Sequence, residues 1–181
     1  SYGSIRTLQK VCMEMNAGQI TCIMGRNGVG KTTLLKNIMG TLRASHGSIH
    51  VGSDNITSLA AHRRAKNGLG LVPQGRQIFA KLTVEENLKV GLQANPQRTS
   101  TIPSHVYETF PVLLEMKRRM GGDLSGGQQQ QLAIARALVG NPKILLLDEP
   151  TEGIQPNIIQ QIGRVLKDLA TESNMTIVLV E

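Results

Sequence analysis

Residues 25–32 constrain the fold of this chain more than any other segment. They read Gly-Arg-Asn-Gly-Val-Gly-Lys-Thr, and they lie between an apolar, β-branched run from Ile20 to Met24 and a helix-like segment from Lys31 to Met39 that Gly40 closes. A glycine-rich loop between a strand and a helix lets successive backbone N–H groups point inward, and the positive end of the following helix attracts anions. The segment therefore predicts a strand, a phosphate-binding loop and a helix in succession.

Separate groups of this loop have separate roles toward a polyphosphate. The backbone N–H groups would hold phosphate oxygens, Lys31 would reach the outer phosphates, and Thr32 is placed to ligate Mg²⁺. The candidate phosphate-binding residues are Gly25, Arg26, Asn27, Gly28, Val29, Gly30, Lys31, Thr32 and Thr33. The alternative is a glycine-rich turn that matches by chance, and the flanking strand and helix patterns disfavour it.

A second anchor for magnesium follows an apolar strand later in the chain. Ile144 to Leu147 is a continuous apolar run, typical of a central strand covered on both faces, and Asp148 and Glu149 follow it directly. Because successive side chains alternate in direction, Asp148 can face the metal while Glu149 orients and deprotonates an attacking water. An acid at a strand end is more often part of a surface turn, but the phosphate-binding loop favours the catalytic interpretation.

The rest of the chain alternates strand-like and helix-like segments, which predicts an α/β fold with a parallel sheet. Residues 78–140 are poor in strand patterns, so we expect a helical subdomain there and a nucleotide-binding core made of residues 1–77 and 141–181. The individual predictions are strands at Ile5 to Met15, Ser48 to Val51, Leu69 to Val72 and Thr176 to Val180, and helices from a Ser58 cap to Lys66, from Thr83 to Gly91, over Val106 to Met120 and over Asn157 to Leu169.

Another predicted helix begins at the segment Leu124-Ser125-Gly126-Gly127-Gln128 and runs to Leu138. Ser125 and Gln128 have the spacing of a capping box. The amide-rich start of this helix is a second candidate anion site, although the first loop already serves one nucleotide. Taken alone, these five residues would favour a plain, glycine-containing helix start.

Charge and aromatic content narrow the choice of partners. A net charge of +7, from 20 Lys and Arg against 13 Asp and Glu, suits nucleic acid, anionic lipid or a polyphosphate. Two Tyr, two Phe and no Trp cannot supply the stacking platform of single-strand binders.

Apolar runs are far short of the about 20 residues that a membrane-spanning helix needs, and we expect a cytoplasmic location. Basic positions interpreted as solvated helix faces are Arg63, Arg64, Lys66, Lys117, Arg118 and Arg119, and Cys12 and Cys22 are interpreted as buried, reduced thiols.

Four segments in order resemble the ATP-binding subunits of ABC transporters: Gly25 to Thr32, Gln74 after Val72-Pro73, Leu124 to Gln128, and Ile144 to Glu149. The surrounding residues 71–79, 82–88 and 148–156 are similar to the importer branch for branched-chain amino acids and urea. Gly122-Asp123 and the four glutamines after Gly127 are most similar to the urea importers.

This resemblance implies the ABC ATPase form of the P-loop NTPase fold, a three-layer, mainly parallel sheet with an inserted helical subdomain. It implies a head-to-tail dimer, of two copies or of two related subunits, in which each ATP lies between the phosphate-binding loop of one subunit and the signature of the other, Ser125, Gly126, Gly127 and Gln128. Tyr2 would stack on adenine, a frayed terminal tyrosine being the alternative. Gln74 would touch both Mg²⁺ and the attacking water.

The implied function is ATP hydrolysis that drives uptake of a small polar solute, urea in the first place and branched-chain amino acids as the alternative. Catalytic residues would be Glu149 and Gln74, and the metal ligands would be Thr32, Gln74 and Asp148. The helical subdomain would contact transmembrane permease subunits at the inner face of the cell membrane. ATP and Mg²⁺ are the expected cofactors, and nucleic acid is not an expected partner.

Two departures from the family pattern bear on activity. Gln155 stands where the family usually has Asp, a change that the importer branch shares. The family also has a switch residue and further strands beyond the position of Glu181, so the chain is expected to be truncated and its ATPase activity weak or absent. Turnover equal to that of a chain extended past Glu181 would contradict this expectation.

Two other classes of function fit the sequence less well. A nucleic-acid-associated ATPase of the same family would use the positive charge, but long coiled-coil heptads and a second ATPase cassette do not occur in this sequence. Tight, steeply salt-dependent DNA or RNA binding would favour that class. A non-catalytic scaffold is disfavoured by the presence of Glu149.

Overall fold

The computed structural model describes residues 8–97 and 99–181, which form a parallel sheet covered by helices. The strands are β1 (Ile20–Ile23), β2 (His50–Val51), β3 (Asp54–Asn55), β4 (Leu69–Val72), β5 (Ile144–Asp148) and β6 (Thr176–Val180). The helices are α1 (Lys31–Met39), α2 (Ala61–Lys66), α3 (Val84–Gly91), α4 (Ser104–Thr109), α5 (Pro111–Glu115), α6 (Gly126–Leu138) and α7 (Pro156–Glu172). Short 3₁₀ turns cover Leu92–Ala94 and Gly121–Asp123.

The main sheet has the strand order β1-β6-β5-β4, and all three pairs are parallel. Strands β2 and β3 form a separate antiparallel hairpin. The carboxyl ends of parallel strands meet at one edge of a sheet, and here Ile23 and Asp148 both lie opposite Val180. The loops that follow β1 and β5 therefore begin side by side, on either side of the end of β6.

The central strand β5 is buried on both faces, as its continuous apolar run predicts. Leu145, Leu146 and Leu147 are fully buried, and they alternate between two cores. Leu146 packs in the core that contains Leu35 of α1, whereas its neighbours pack in the larger core that contains Leu132 of α6. Helices thus cover the sheet from both sides, which confirms the predicted three-layer α/β fold.

Between β4 and β5 the described residues form α3 to α6, and this helical region shares the larger core of the sheet. The prediction of helix over Val106 to Met120 was wrong in its continuity. The helix breaks at Phe110, where the backbone has φ −130° and ψ 75°, and Pro111 starts the next helix. A residue before proline is disfavoured in the helical region, so the break has a local cause.

Two predictions of local structure were wrong. Residues 8–15 of the segment Ile5 to Met15 form no strand. Among the described strands β1 pairs only with β6, so no strand formed by residues 8–15 lies on its other side. Residues 5–7 lie outside the described part. Helix α2 begins after Ala60 without a side-chain cap, so Ser58 does not cap it. The alternating apolar residues have no neighbouring strand to pair with among the described residues. Ser58 lies two residues before Ala60, the residue that precedes the helix, so its side chain is not at the capping position.

The cysteines and one of the arginines also differ from their predicted environments. Cys12 and Cys22 are free and exposed. The exposure of Cys22 follows from its position on the edge strand β1. Arg64 is only 3% exposed and is not part of a solvated face. The reason is that the last carbonyls of α1 need donors. The Arg64 guanidinium donates to the backbone oxygens of Leu59, Asn37, Ile38 and Thr57 at 2.7–2.9 Å.

The close contact between α3 and α6 depends on Gly91. A Cβ atom at Gly91 would clash with the Arg136 carbonyl and would lie 2.5 Å from Val139 Cγ2. Gly91→Ala should therefore lower the free energy of unfolding by about 1–3 kcal/mol in chemical denaturation. Gly163→Ala in α7 is the matched control, because nothing lies within 4 Å of its added Cβ. The control should stabilise the protein by about 0.5–1 kcal/mol, and equal effects of the two changes would contradict the packing argument.

None of the helices in the described part of the chain combines the length and apolarity needed to cross a bilayer.

Candidate functional site

The phosphate-binding loop connects the end of β1 to the start of α1 at the carboxyl edge of the sheet. Gly28 and Gly30 have φ angles of 83° and 105°, a region that residues with a Cβ rarely adopt. The loop begins with the N–H of Gly25 donating to the Glu181 carbonyl at 3.1 Å. This geometry follows from the glycine spacing, and it leaves Gly25 to Val29 exposed at the helix start.

Lys31 lies inside the curve of this loop. Its side chain is 6% exposed, and its Nζ donates to the carbonyl oxygens of Gly25 at 2.7 Å and Arg26 at 3.1 Å. The same nitrogen lies 3.9 Å from Glu149 Oε1. The positive charge of a largely buried ammonium group therefore lies where the loop would hold an anion.

Asp148 and Thr32 meet across the boundary between β5 and α1. Thr32 Oγ1 donates to Asp148 Oδ1 at 3.0 Å, and Asp148 is 4% exposed. Burial raises the pKa of Asp148, and this effect is opposed by the Thr32 hydrogen bond, the charge of Lys36, the backbone N–H of Gln74 and the charge of Lys31. The ionised carboxylate is therefore costly at this position, and a bound cation would favour it.

Glu149 is turned toward Gln74 by an unusual backbone conformation. Its φ is 48°, in the left-handed region, and its N–H donates to the Val180 carbonyl at 2.9 Å. Gln74 Nε2 donates to Glu149 Oε2 at 2.7 Å and to Glu152 Oε2 at 3.2 Å. The structure thus brings together Lys31, Thr32, Gln74, Asp148 and Glu149, all of which the sequence analysis had selected.

The segment Leu124 to Gln128 opens α6 with the predicted capping box. Gln128 N donates to Ser125 Oγ at 3.3 Å, and Ser125 N donates to Gln128 Oε1 at 2.9 Å. Side-chain hydrogen bonds in the described residues connect this helix start to Arg76 and not to the phosphate-binding loop. Ser125, Gly126, Gly127 and Gln128 therefore form a separate, partly exposed site in the single chain.

Three contributors to the site had been missed by sequence reasoning. Arg76 donates to Gln129 Oε1 at 3.4 Å and to the Glu152 carbonyl at 3.3 Å, so it joins α6 to the loop after β5. Glu181 Oε1 accepts from the Thr151 hydroxyl at 2.9 Å. Glu152 is the third, and its position three residues after Glu149 was the available signal. Tyr2, predicted to stack on adenine, lies outside the described residues.

Residues 8–152 match the ABC transporter family. The high-affinity branched-chain amino acid transport ATP-binding protein BraG of Pseudomonas aeruginosa is 41% identical over 181 residues, which cover 99% of this chain and 77% of BraG. The probable branched-chain amino acid transport ATP-binding protein LivF of Archaeoglobus fulgidus is 38% identical, with coverage of 99% and 77%.

A solved structure extends the similarity to the fold. The dimeric, post-hydrolysis structure of an ATP-binding cassette bound to ADP and Pi has a TM-score of 0.82 and 29% identity, covering 96% of this chain and 79% of that one. The family match includes the phosphate-binding loop, the signature, Asp148 and Glu149. The chain belongs to the ABC transporter family, as an ATP-binding subunit with ABC-type ATPase activity.

Proposed function

We propose that this subunit binds Mg²⁺·ATP at residues 25–33 and hydrolyses it with Glu149 as general base. The observation that supports the proposal best is that the segments following β1 and β4 both meet the carboxyl end of β5 at Asp148 and Glu149. Its carboxylate accepts from Gln74 at 2.7 Å and lies 3.9 Å from the Lys31 ammonium, and the adjacent Asp148 accepts from Thr32 at 3.0 Å. Phosphate ligands, metal ligands and a proton acceptor are therefore within reach of one another.

The donor set fits Mg²⁺, which prefers hard oxygen ligands and keeps several waters and phosphate oxygens. Thr32 Oγ1, the Asp148 carboxylate and Gln74 Oε1 would hold the ion. The described residues contain no group of three or more His, Cys, Asp or Glu side chains placed to bind a metal. A site with one carboxylate and substrate phosphates accords with that finding. When bound, Mg²⁺ would neutralise negative charge on the phosphates.

The chain's own residues would act mainly by position and charge. Lys31 would exchange its contacts with the Gly25 and Arg26 carbonyls for phosphate oxygens, while the N–H groups of the loop and of the first turn of α1 hold the remaining oxygens. Glu149 would accept a proton from the attacking water at its carboxylate, with Gln74 beside it. Most of the rate enhancement would come from fixed dipoles and charges.

We propose further that two subunits, identical or related, enclose ATP between them. The signature residues Ser125 to Gln128 are separate from the loop of the same chain, so they remain available to a second subunit. The cassette bound to ADP and Pi is dimeric, which supports this arrangement. In the proposed division, residues 1–77 and 141–181 form the nucleotide-binding core, and residues 78–140 contact permease subunits at the inner face of the membrane.

The cargo that the comparisons favour is a branched-chain amino acid, because BraG and LivF both carry that description. Urea is the second candidate, on the residues Gly122-Asp123 and the glutamines at 128–131. The test is reconstitution with the permease that co-purifies, followed by uptake of labelled leucine and labelled urea. We expect ATP-dependent uptake of leucine. Uptake of urea without uptake of leucine would instead identify urea as the cargo.

Removing the Lys31 charge tests the nucleotide site itself. Lys31→Met should raise the Kd for Mg²⁺·ATP at least about 10-fold, because charge-assisted hydrogen bonds to phosphate are lost. A titration with a fluorescent ATP analogue measures the change, and Lys66→Met, at an exposed position of α2, is the control for loss of one positive charge. Equal affinities in both variants would show that the Lys31 ammonium does not contact the phosphates.

A further inference from the structure

The amide group of Gln74 contacts two carboxylates in the loop after β5. Its Nε2 lies 2.7 Å from Glu149 Oε2 and 3.2 Å from Glu152 Oε2. Gln74 is two residues past the end of β4 and is exposed, so its side chain would otherwise rotate freely. Both contacts join segments that are more than 70 residues apart in the chain, at separations of 75 and 78 residues.

The chemistry of these partners fixes the orientation of the amide. An ionised carboxylate only accepts hydrogen bonds, whereas a side-chain amide has two N–H donors on nitrogen and lone pairs on oxygen. Both contacts must therefore use the Gln74 nitrogen, one hydrogen for each carboxylate. The amide oxygen Oε1 is left facing away from the acids, and among the described residues no protein donor contacts it.

We infer that Glu152 is a positioning residue that orients Gln74 with its oxygen available to the metal. The inference rests on the proposed function, in which Gln74 is a Mg²⁺ ligand. During the reaction the Glu149 carboxylate would also accept a hydrogen bond from the attacking water, so it would be shared between the water and Gln74. Glu152 keeps an acceptor on the Gln74 nitrogen while Glu149 is engaged elsewhere.

Glu152 is itself anchored, which makes this role physically reasonable for an exposed side chain. Its N–H donates to the Glu149 carbonyl at 3.3 Å, and its own carbonyl accepts from Arg76 Nη2 at 3.3 Å. On the other side, the N–H and hydroxyl of Thr151 donate to Glu181 Oε1 at 3.2 and 2.9 Å. The loop that carries Glu152 is thus tied to both β6 and the segment that carries Gln74.

The test separates orientation of the amide from the negative charge of Glu152. The Kd for a fluorescent ATP analogue is measured with Mg²⁺ and with EDTA, and the ratio of the two values is the magnesium-dependent gain in affinity. Glu152→Ala removes the acceptor and the charge, and Glu152→Gln removes the charge but keeps an acceptor oxygen. Glu172→Ala and Glu172→Gln, at an exposed position at the end of α7, are matched controls.

We expect Glu152→Ala to lower the magnesium-dependent gain about threefold to tenfold with the Kd in EDTA unchanged, as for loss of one hydrogen bond. Glu152→Gln should keep most of the gain, and the Glu172 variants should keep all of it. Circular dichroism verifies that each variant is folded, and Glu152→Leu, which also removes the acceptor at this exposed position, replaces Glu152→Ala if that variant is not folded.

Each remaining outcome overturns a defined statement. If Glu152→Ala keeps the wild-type gain, or if Glu152→Gln loses as much as Glu152→Ala, Glu152 does not act by orienting the amide. If the wild-type protein itself shows no gain with Mg²⁺, the proposed metal site fails, and with it the basis of this inference.

Discussion

In a chain extended past Glu181, Glu149→Gln should lower the rate of ATP hydrolysis by about 10²- to 10⁴-fold, the range expected when a general base is removed. Glutamine has nearly the same shape as glutamate and keeps an oxygen that can accept from Gln74. In the unsubstituted protein Gln74 Nε2 lies 2.7 Å from Glu149 Oε2. It cannot accept a proton from water at neutral pH. The affinity for ATP should therefore change little while turnover is lost.

Two measurements distinguish this result from loss of the nucleotide site. Single-turnover hydrolysis of Mg²⁺·ATP reports the chemical step, and titration with a fluorescent ATP analogue reports binding. Glu172→Gln, the same chemical change at an exposed position, is the control and should match the wild-type chain. Undiminished hydrolysis by Glu149→Gln would show that another group accepts the proton.

Arg64→Met should lower the free energy of unfolding by about 2–4 kcal/mol, because buried carbonyl groups lose their donors. The guanidinium contacts the Asn37 and Ile38 carbonyls at the end of α1 and the Leu59 and Thr57 carbonyls in the segment before α2. Methionine fills a similar volume but donates no hydrogen bond. For a protein of this size the thermal midpoint should fall by roughly 4–16 °C.

Arg63→Met is the matched control for this substitution. Arg63 precedes Arg64 on the same helix and is exposed, so its removal changes the charge equally without stranding buried carbonyls. Denaturant unfolding followed by circular dichroism measures both variants. A loss of stability that is the same for Arg63→Met and Arg64→Met would mean that charge, rather than capping of α1, is responsible.

The features that sequence predicted best have causes within a few residues. The predicted capping box of Ser125 with Gln128 is confirmed by its reciprocal hydrogen bonds, and the helix predicted to begin at Thr83 has the same arrangement between Thr83 and Glu86. Helix α1 ends at Met39 and is capped by Gly40, which has a φ of 82°. Apolar runs of four or five residues were sufficient to locate the central strands because burial on both faces leaves few other places for them.

Features that depend on distant neighbours were not predictable in this way. Arg64 has the same sequence neighbourhood as the exposed Arg63, and only the nearby end of α1 makes it a buried donor. The exposure of Cys22 follows from its place on an edge strand, and strand order is a property of the whole sheet. Residues 8–15 alternate like a strand but have no partner to pair with in the described chain.

The candidate site shows the same division. Lys31, Thr32, Asp148 and Glu149 were selected from local spacing alone, since a loop or strand end fixes their relative directions. Gln74 was selected by family resemblance. Its contact with Glu152 spans 78 residues, and no local pattern encodes such a contact.

The end of β6 joins the two catalytic loops mechanically. The Glu181 carbonyl accepts from Gly25, the Val180 carbonyl accepts from Glu149, and the Glu181 carboxylate accepts from Thr151. A small rotation of this strand end would consequently tilt the phosphate cradle and the water-activating acid in concert. The loops after β1 and β5 would then move as one rigid unit, so the affinity for the nucleotide and the position of Glu149 for hydrolysis would change together.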